Sequence, residues 1–117
     1  MNQLLLIASG GAMGSVVRYL LQKALNTSFP VGTLTVNIIG CFLIGWLWAL
    51  SGKNLNDAMR LFLMTGFCGG FTTFSAFSLE GVQMITTGRW LFFSVYVLAS
   101  VAGGLLATFL SYKIFSE

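Results

Sequence analysis

Hydrophobic residues in this chain fall into four long runs separated by three short polar breaks, extending over roughly Gln3 to Leu25, Val31 to Leu50, Met59 to Thr86 and Leu91 to Phe115. A helix needs about 20 apolar residues to cross a hydrocarbon core, so each run is long enough to span a membrane. Between them lie "NTSFP", "SGKNLND" and "TTGRW", whose Gly, Pro, Asn and Ser residues favour turns. Pro30 suits the first turn of the second helix, where the N–H it lacks would have no helical partner. The third run is the longest and has room to tilt, bend or be interrupted.

Composition places these helices in a membrane. Of 117 residues, 56% are hydrophobic and 8% charged, against about 25% charged in a soluble domain. Polar surface on that scale does not cover a water-soluble globule, so the apolar faces are expected to meet lipid. The expected fold is an all-α integral membrane protein, one four-helix domain over residues 1–117. The N-terminal "MNQLLLIASGG" has no Lys or Arg ahead of its apolar run, and reads as the first half of a permanent span instead of a cleaved signal. Cys41 and Cys68 both lie within apolar runs and lack metal-ligand spacing, so they read as packed thiols.

The net charge of +3 comes from Arg18, Lys23, Lys53, Arg60, Arg89 and Lys113 against Asp57, Glu80 and Glu117. The cations do not cluster, so no nucleic-acid partner is expected. With four spans, Lys53, Arg60 and Lys113 lie on one side and Lys23 and Arg89 on the other, with Arg18 near the latter: three against two or three. Orientation follows a Lys/Arg excess in short cytoplasmic loops, and here that excess nearly vanishes. Either a small bias decides, or the chain inserts both ways up and forms an antiparallel homodimer with its two-fold axis in the membrane plane. Four short helices leave no room for a pore of their own, so a transport role favours an oligomer. Small residues at intervals of four, Gly10 to Gly14, Gly66 to Gly70 and Gly103, Ala107, Ser111, offer contact faces either within or between chains.

Several polar groups sit where lipid does not tolerate them. Arg18, two-thirds along the first span, reads either as an interfacial anchor paired with carbonyls or as a fixed cation at the mouth of an anion pathway. Asn37 lies in the body of the second span, on one face with Thr33, Gly40 and Cys41. Its amide either joins helices or donates hydrogen bonds to an anion. In the last span Tyr96, Ser100, Gly104, Thr108 and Tyr112 recur every four residues, as a polar track or a packing ridge. No carboxylate or His lies deep in a span, Glu80 being nearest, which argues against obligatory proton coupling. No nucleophile with a base, nucleotide loop or metal cluster is present, so an enzyme is not expected.

The third span carries "GFCGGFTTFSAFSLE". Gly69 and Gly70 weaken the helix by about 1 kcal/mol each relative to Ala. Either the helix stays intact at a close Gly-Gly crossing, or it breaks and frees carbonyls that protein, water or a cation must satisfy. Beyond lie Phe74 and Phe77 on one face, interleaved with Ser75 and Ser78. Phenyl rings here serve packing or lipid contact, or turn their positive edges to a small anion.

Three motifs, "GGAMGSVVRY", "GTLTVNIIGCFLIG" and "GFCGGFTTFSAFSLE", together resemble the Fluc family of fluoride channels, also called CrcB proteins, over essentially the whole chain and most weakly over the last span. The resemblance implies a third helix broken mid-membrane and a dual-topology antiparallel homodimer in a bacterial inner membrane, letting fluoride leave the cytoplasm passively through two pores. It also implies a structural Na+ held by backbone carbonyls of Gly69 and Thr72. By the same resemblance Phe74, Phe77, Asn37 and Arg18 belong to the fluoride pathway, with Ser75 interleaved and Tyr96 and Ser100 on a fourth-helix track. Gly104, lacking a hydroxyl, departs from that track. Two readings stand beside it: a small multidrug transporter, which matches in size but relies on a first-span glutamate absent here, and a non-conducting subunit whose glycine faces dock a larger partner.

Overall fold

The structure is a computed structural model and describes residues 2–27, 29–51, 53 and 55–116; expectations touching Met1, Ser28, Gly52, Asn54 and Glu117 lie outside the described residues. Among these residues helix is the regular structure present, and four helical runs are long and apolar enough to cross a membrane. Helix α1 spans Gln3–Leu25 and α2 Val31–Ser51. The third run begins with α3 (Asp57–Arg60), winds as a π-helix over Leu61–Cys68, and tightens again into α4 (Gly69–Phe71). Helix α5 (Phe74–Thr86) continues it, and α6 (Trp90–Ser116) returns.

Local chemistry sets the ends. The Asn2 side chain accepts from the Leu4 N–H at 2.8 Å, and that of Asn56 from the Met59 N–H at 2.8 Å, each satisfying a donor that has no helical partner. The Asn56 cap draws the third run two residues earlier than its hydropathy indicates, to Asp57, and the Asp57 carboxylate lies where a helix N-terminus favours negative charge. Gly88, at φ +76°, makes the turn from α5 into α6, a conformation that side-chain-bearing residues rarely adopt.

The most extensive contacts are between α2 and α6 and between α1 and the third run. Both depend on missing side chains. A Cβ at Gly14 would meet the Phe67 carbonyl and lie 2.8 Å from the Phe71 nitrogen, and one at Gly66 would lie 3.1 Å from the Gly10 Cα. The two glycine pairs therefore face each other inside one chain. Across α2 and α6 the Ser111 hydroxyl donates to the Phe42 carbonyl at 2.6 Å and Thr108 to the Cys41 carbonyl at 2.9 Å. Tyr112 stacks on Trp48 with centroids 3.8 Å apart. The lower part of the fourth-span ridge is thus a packing surface. Outward-facing Leu4, Leu91 and Leu105 are each at least 70% exposed, which water would penalise and lipid does not.

Candidate functional site

The polar residues gather where the third run leaves helical geometry. Thr72 (φ −82°, ψ 156°) and Thr73 (φ −148°, ψ 115°) are both extended, between α4 and α5. The Thr72 N–H still reaches the Cys68 carbonyl at 3.0 Å. In an unbroken helix the Thr73 N–H would go to Gly69. Instead it donates to Asn37 Oδ1 at 2.8 Å, while Asn37 Nδ2 donates to the Thr73 carbonyl at 3.1 Å. One amide side chain thereby satisfies both halves of an extended residue. The Thr73 hydroxyl accepts from the Ala76 N–H at 3.1 Å and caps α5.

Arg18 holds the other edge of the interruption. Its Nε donates to the Gly70 carbonyl at 3.0 Å, with the Ser15 hydroxyl 3.4 Å from the same oxygen. A continuous helix would have given that carbonyl the Phe74 N–H. The Gly70 oxygen is within reach because α1 lies directly against it: a Cβ on Gly70 would collide with the Gly11 backbone. Gly69, by contrast, looks into open space, with nothing within 4 Å of where a Cβ would stand.

Beside the interruption lies a cavity of about 420 Å³, and six of the sequence-predicted residues line it: Asn37, Gly69, Thr72, Phe74, Phe77 and Ser100. Phe74 is 79% exposed, and its ring leans on Phe77 at 5.6 Å between centroids, while Phe77 leans on Tyr96 at 5.1 Å. The Ser100 hydroxyl is the one buried side-chain oxygen or nitrogen without a hydrogen-bond partner among the described residues. Cys41 and Cys68 also belong to the lining, Cys68 buried and the Cys41 sulfur lying against the gap left by Gly104.

Three predicted residues are outside that lining. Arg18 serves the Gly70 carbonyl, Ser75 is exposed with its hydroxyl 3.3 Å from that of Thr73, and Tyr96 is fully buried. The Tyr96 hydroxyl donates to Glu80 at 3.0 Å. Glu80 also receives the Thr33 hydroxyl at 3.0 Å and the Asn26 amide at 3.3 Å, so three donors compensate one partly buried carboxylate. Gln22 donates to Thr33 at 2.9 Å and accepts from Arg18 Nη1 at 3.2 Å. A chain of hydrogen bonds therefore runs from the Gly70 carbonyl to Tyr96, ending under the Phe77 ring. Its signal in the sequence is the spacing of Arg18, Gln22 and Asn26, one α1 turn apart. A second cavity of about 130 Å³, lined by Asn26, Glu80, Gln83 and Arg89 among others, opens at that end of the network.

Among the described residues no group of three or more His, Cys, Asp or Glu side chains could hold a metal ion. A hard cation would have to be bound by oxygen, and the carbonyls of the cavity-lining Gly69 and Thr72 lose their helical donors, because the Thr73 N–H goes to Asn37 and the Ala76 N–H to the Thr73 hydroxyl. What the main cavity offers otherwise is aromatic edge, hydroxyl and amide.

The CrcB-like protein, Camphor Resistance (CrcB) family model matches residues 5–112. A protein of Leptospira interrogans serovar copenhageni named "Fluoride-specific ion channel FluC" is 52% identical, the match covering 89% of this chain and 87% of that one. Proteins of the same name from Phocaeicola vulgatus and Rhizobium meliloti are each 46% identical, over 94% and 93% of this chain and 95% and 92% of their own lengths. A match of that extent takes in every element that builds the interruption and its cavity, and the chain belongs to the CrcB family.

Proposed function

We propose that this multi-pass membrane protein is a fluoride-selective channel through which fluoride leaves the cytoplasm passively, and that it is not an enzyme. The observation that carries the reading is the cavity at the Thr72–Thr73 interruption, with an exposed phenylalanine, a second ring behind it and an unpartnered serine hydroxyl. Relatives matched over most of the chain bear the name of a fluoride-specific channel. Fluoride is small and strongly hydrated, and it gives up its water only to short hydrogen bonds and positive ring edges. A large soft anion gains little from the same groups. The small multidrug alternative has no first-span glutamate to stand on in Gln3–Leu25.

The working unit in this reading is an antiparallel dual-topology homodimer in the bacterial inner membrane, with the interruption at mid-membrane depth. The Gly69 carbonyl supports it, since it has lost its helical donor to Asn37 and at membrane depth such a backbone group needs a covering partner. Phe74, Phe77, Asn37 and Ser100 line the fluoride path. Tyr96 and Arg18 act one layer behind it, positioning Phe77 and the interruption, and Ser75 lies beside the α5 cap. Gly69 and Thr72 carbonyls would hold the Na+, which supplies positive charge to bind the interruption together. Those residues fit the ion: the Gly69 carbonyl has lost its helical donor to Asn37, and carbonyl oxygens are the ligands a hard monovalent cation takes.

Purified protein in liposomes is expected to release fluoride rapidly and electrogenically down its gradient, read with a fluoride electrode, while retaining chloride. Absence of electrogenic fluoride efflux overturns the proposal.

A further inference from the structure

The rings of Phe74 and Phe77 belong to a longer row that ends outside the membrane-spanning helices. Tyr96, which meets Phe77 at 5.1 Å, also meets Phe29 edge-on, with centroids 5.6 Å apart and planes at 81°. Phe29 in turn meets Phe92 at 5.8 Å and the same angle. Phe92 and Tyr96 are one α6 turn apart, so the Phe29 ring rests on two successive rings of that helix. Phe29 itself lies in the connection between α1 and α2, where the backbone is clamped. Its carbonyl accepts the Val31 N–H at 2.7 Å, the Thr27 N–H at 3.2 Å and the Thr27 hydroxyl at 3.3 Å. The buried Pro30 follows, and a residue before proline is biased to extended backbone. The Pro30 carbonyl takes the Leu34 N–H at 3.1 Å, which joins the connection to the first turn of α2. The ring is therefore offered from a fixed mount.

Tyr96 needs such a mount. Its hydroxyl is tied to Glu80 at 3.0 Å, but one hydrogen bond at the tip of a phenol leaves the ring plane free to turn about its long axis. What sets the plane is packing: the residue is fully buried, with Phe29 and Phe77 against it. Edge-to-face pairs at these separations attract beyond the area they bury. Close-packed interiors hold side chains to one rotamer, and a ring removed from them leaves space into which neighbours move. We propose that Phe29 is a positioning residue for the fluoride path: it fixes the Tyr96 ring plane, and Tyr96 fixes the orientation of Phe77 in the cavity wall. The positioning half stands on these contacts; the effect on flux rests on the channel reading above.

The test pairs a signal from one ring with flux. Full-length protein carrying 4-fluorophenylalanine in place of Phe77 is purified in detergent, and its fluorine NMR signal is compared with and without Phe29→Leu. Fluoride efflux is read in liposomes on the unlabelled protein. Phe29→Leu is expected to move the position-77 signal by more than its linewidth. It should also slow efflux about tenfold, because a turned Phe77 loses its ring-edge attraction at the barrier. Phe115→Leu removes an equal ring from the far end of α6, where Phe115 meets Phe42 and Trp46, and should leave both readings unchanged. A position-77 signal unmoved by Phe29→Leu overturns the positioning role, and so does a shift that Phe115→Leu produces equally. A moved signal with unchanged efflux overturns the link to flux. Where Phe29→Leu does not fold, Phe29→Met, which fills the space with a flexible chain, is read in its place. Failure of both to fold overturns the proposal, because the ring then carries the fold instead of one side-chain orientation. If the unsubstituted protein passes no fluoride, the channel reading fails while the NMR signal still judges the positioning.

Discussion

Asn37 commits both ends of its amide to the Thr73 peptide, so its truncation should act first on stability. Asn37→Ala leaves a donor and an acceptor without partners in a part-buried setting, a cost of about 2–4 kcal/mol. Denaturant titration in detergent measures it; a loss below 0.5 kcal/mol, roughly the scatter of surface substitutions, would show that the interruption holds without the amide. Phe74 should behave in the opposite way. Its ring is 79% exposed, so Phe74→Ile should leave stability within about 0.5 kcal/mol. Losing about 1.5 kcal/mol of ring-edge attraction at the barrier would slow fluoride flux roughly tenfold. Wild-type flux in liposomes would take Phe74 out of the pathway. These two residues also show what the sequence discloses at this scale. An asparagine and an exposed-looking aromatic in an apolar run are visible as anomalies. Which carbonyl the asparagine serves is invisible, because its partner lies 36 positions away and is a backbone group. Arg18 is the same case: its charge is obvious, and its carbonyl partner on Gly70 is not.

At the scale of the element, the glycines divide into two kinds, and the adjacent Gly69 and Gly70 fall on opposite sides of the division. Gly14 and Gly70 permit α1 to lie against the third run, whereas Gly69 touches nothing. Gly14→Ala should force the helices apart at a cost of about 1–3 kcal/mol. Gly69→Ala should leave the isolated chain as stable or slightly more so, by up to about 1 kcal/mol of helix propensity. If Gly69 faces a second copy, the same change should convert dimer to monomer in detergent, read by light scattering on a sizing column. A dimer unaffected by Gly69→Ala would place the partner surface elsewhere. The helices themselves were legible from hydropathy, since each apolar run is helical within two residues of its expected ends. The π-helical winding of Leu61–Cys68 was not. It adds one residue per hydrogen-bonded turn without altering composition, so no periodicity short enough to fit eight residues reveals it. The Glu80 network was hidden for a related reason: its members lie on four different helices or their ends.

For the whole molecule the decisive quantity is the near-balance of charge across the membrane. Arg18 lies within α1, bonded to Gly70 and Gln22, so it is not a loop cation, and the cations in loops and at helix ends are Lys53, Arg60 and Lys113 against Lys23 and Arg89. One residue of difference is weak instruction, and an antiparallel dimer needs both orientations from one gene product. The requirement can be tested by removing the balance. Gln3→Lys with Ala58→Lys makes the count five against two in favour of the side of the N-terminus, and Ala24→Lys and Thr86→Lys combined with Arg60→Gln and Lys113→Gln make it one against four in favour of the other; all six positions are exposed. Each variant alone should drive the chain into one orientation, opposite for the two, and lower fluoride efflux by about tenfold or more. Because the substitutions lie at helix ends, folding should persist, and producing both variants in the same cell should restore efflux, each supplying the orientation the other lacks. Restoration is the informative result, since no pair of merely damaged proteins repairs itself by mixing. Full efflux from either variant expressed alone would show that antiparallel pairing is not required.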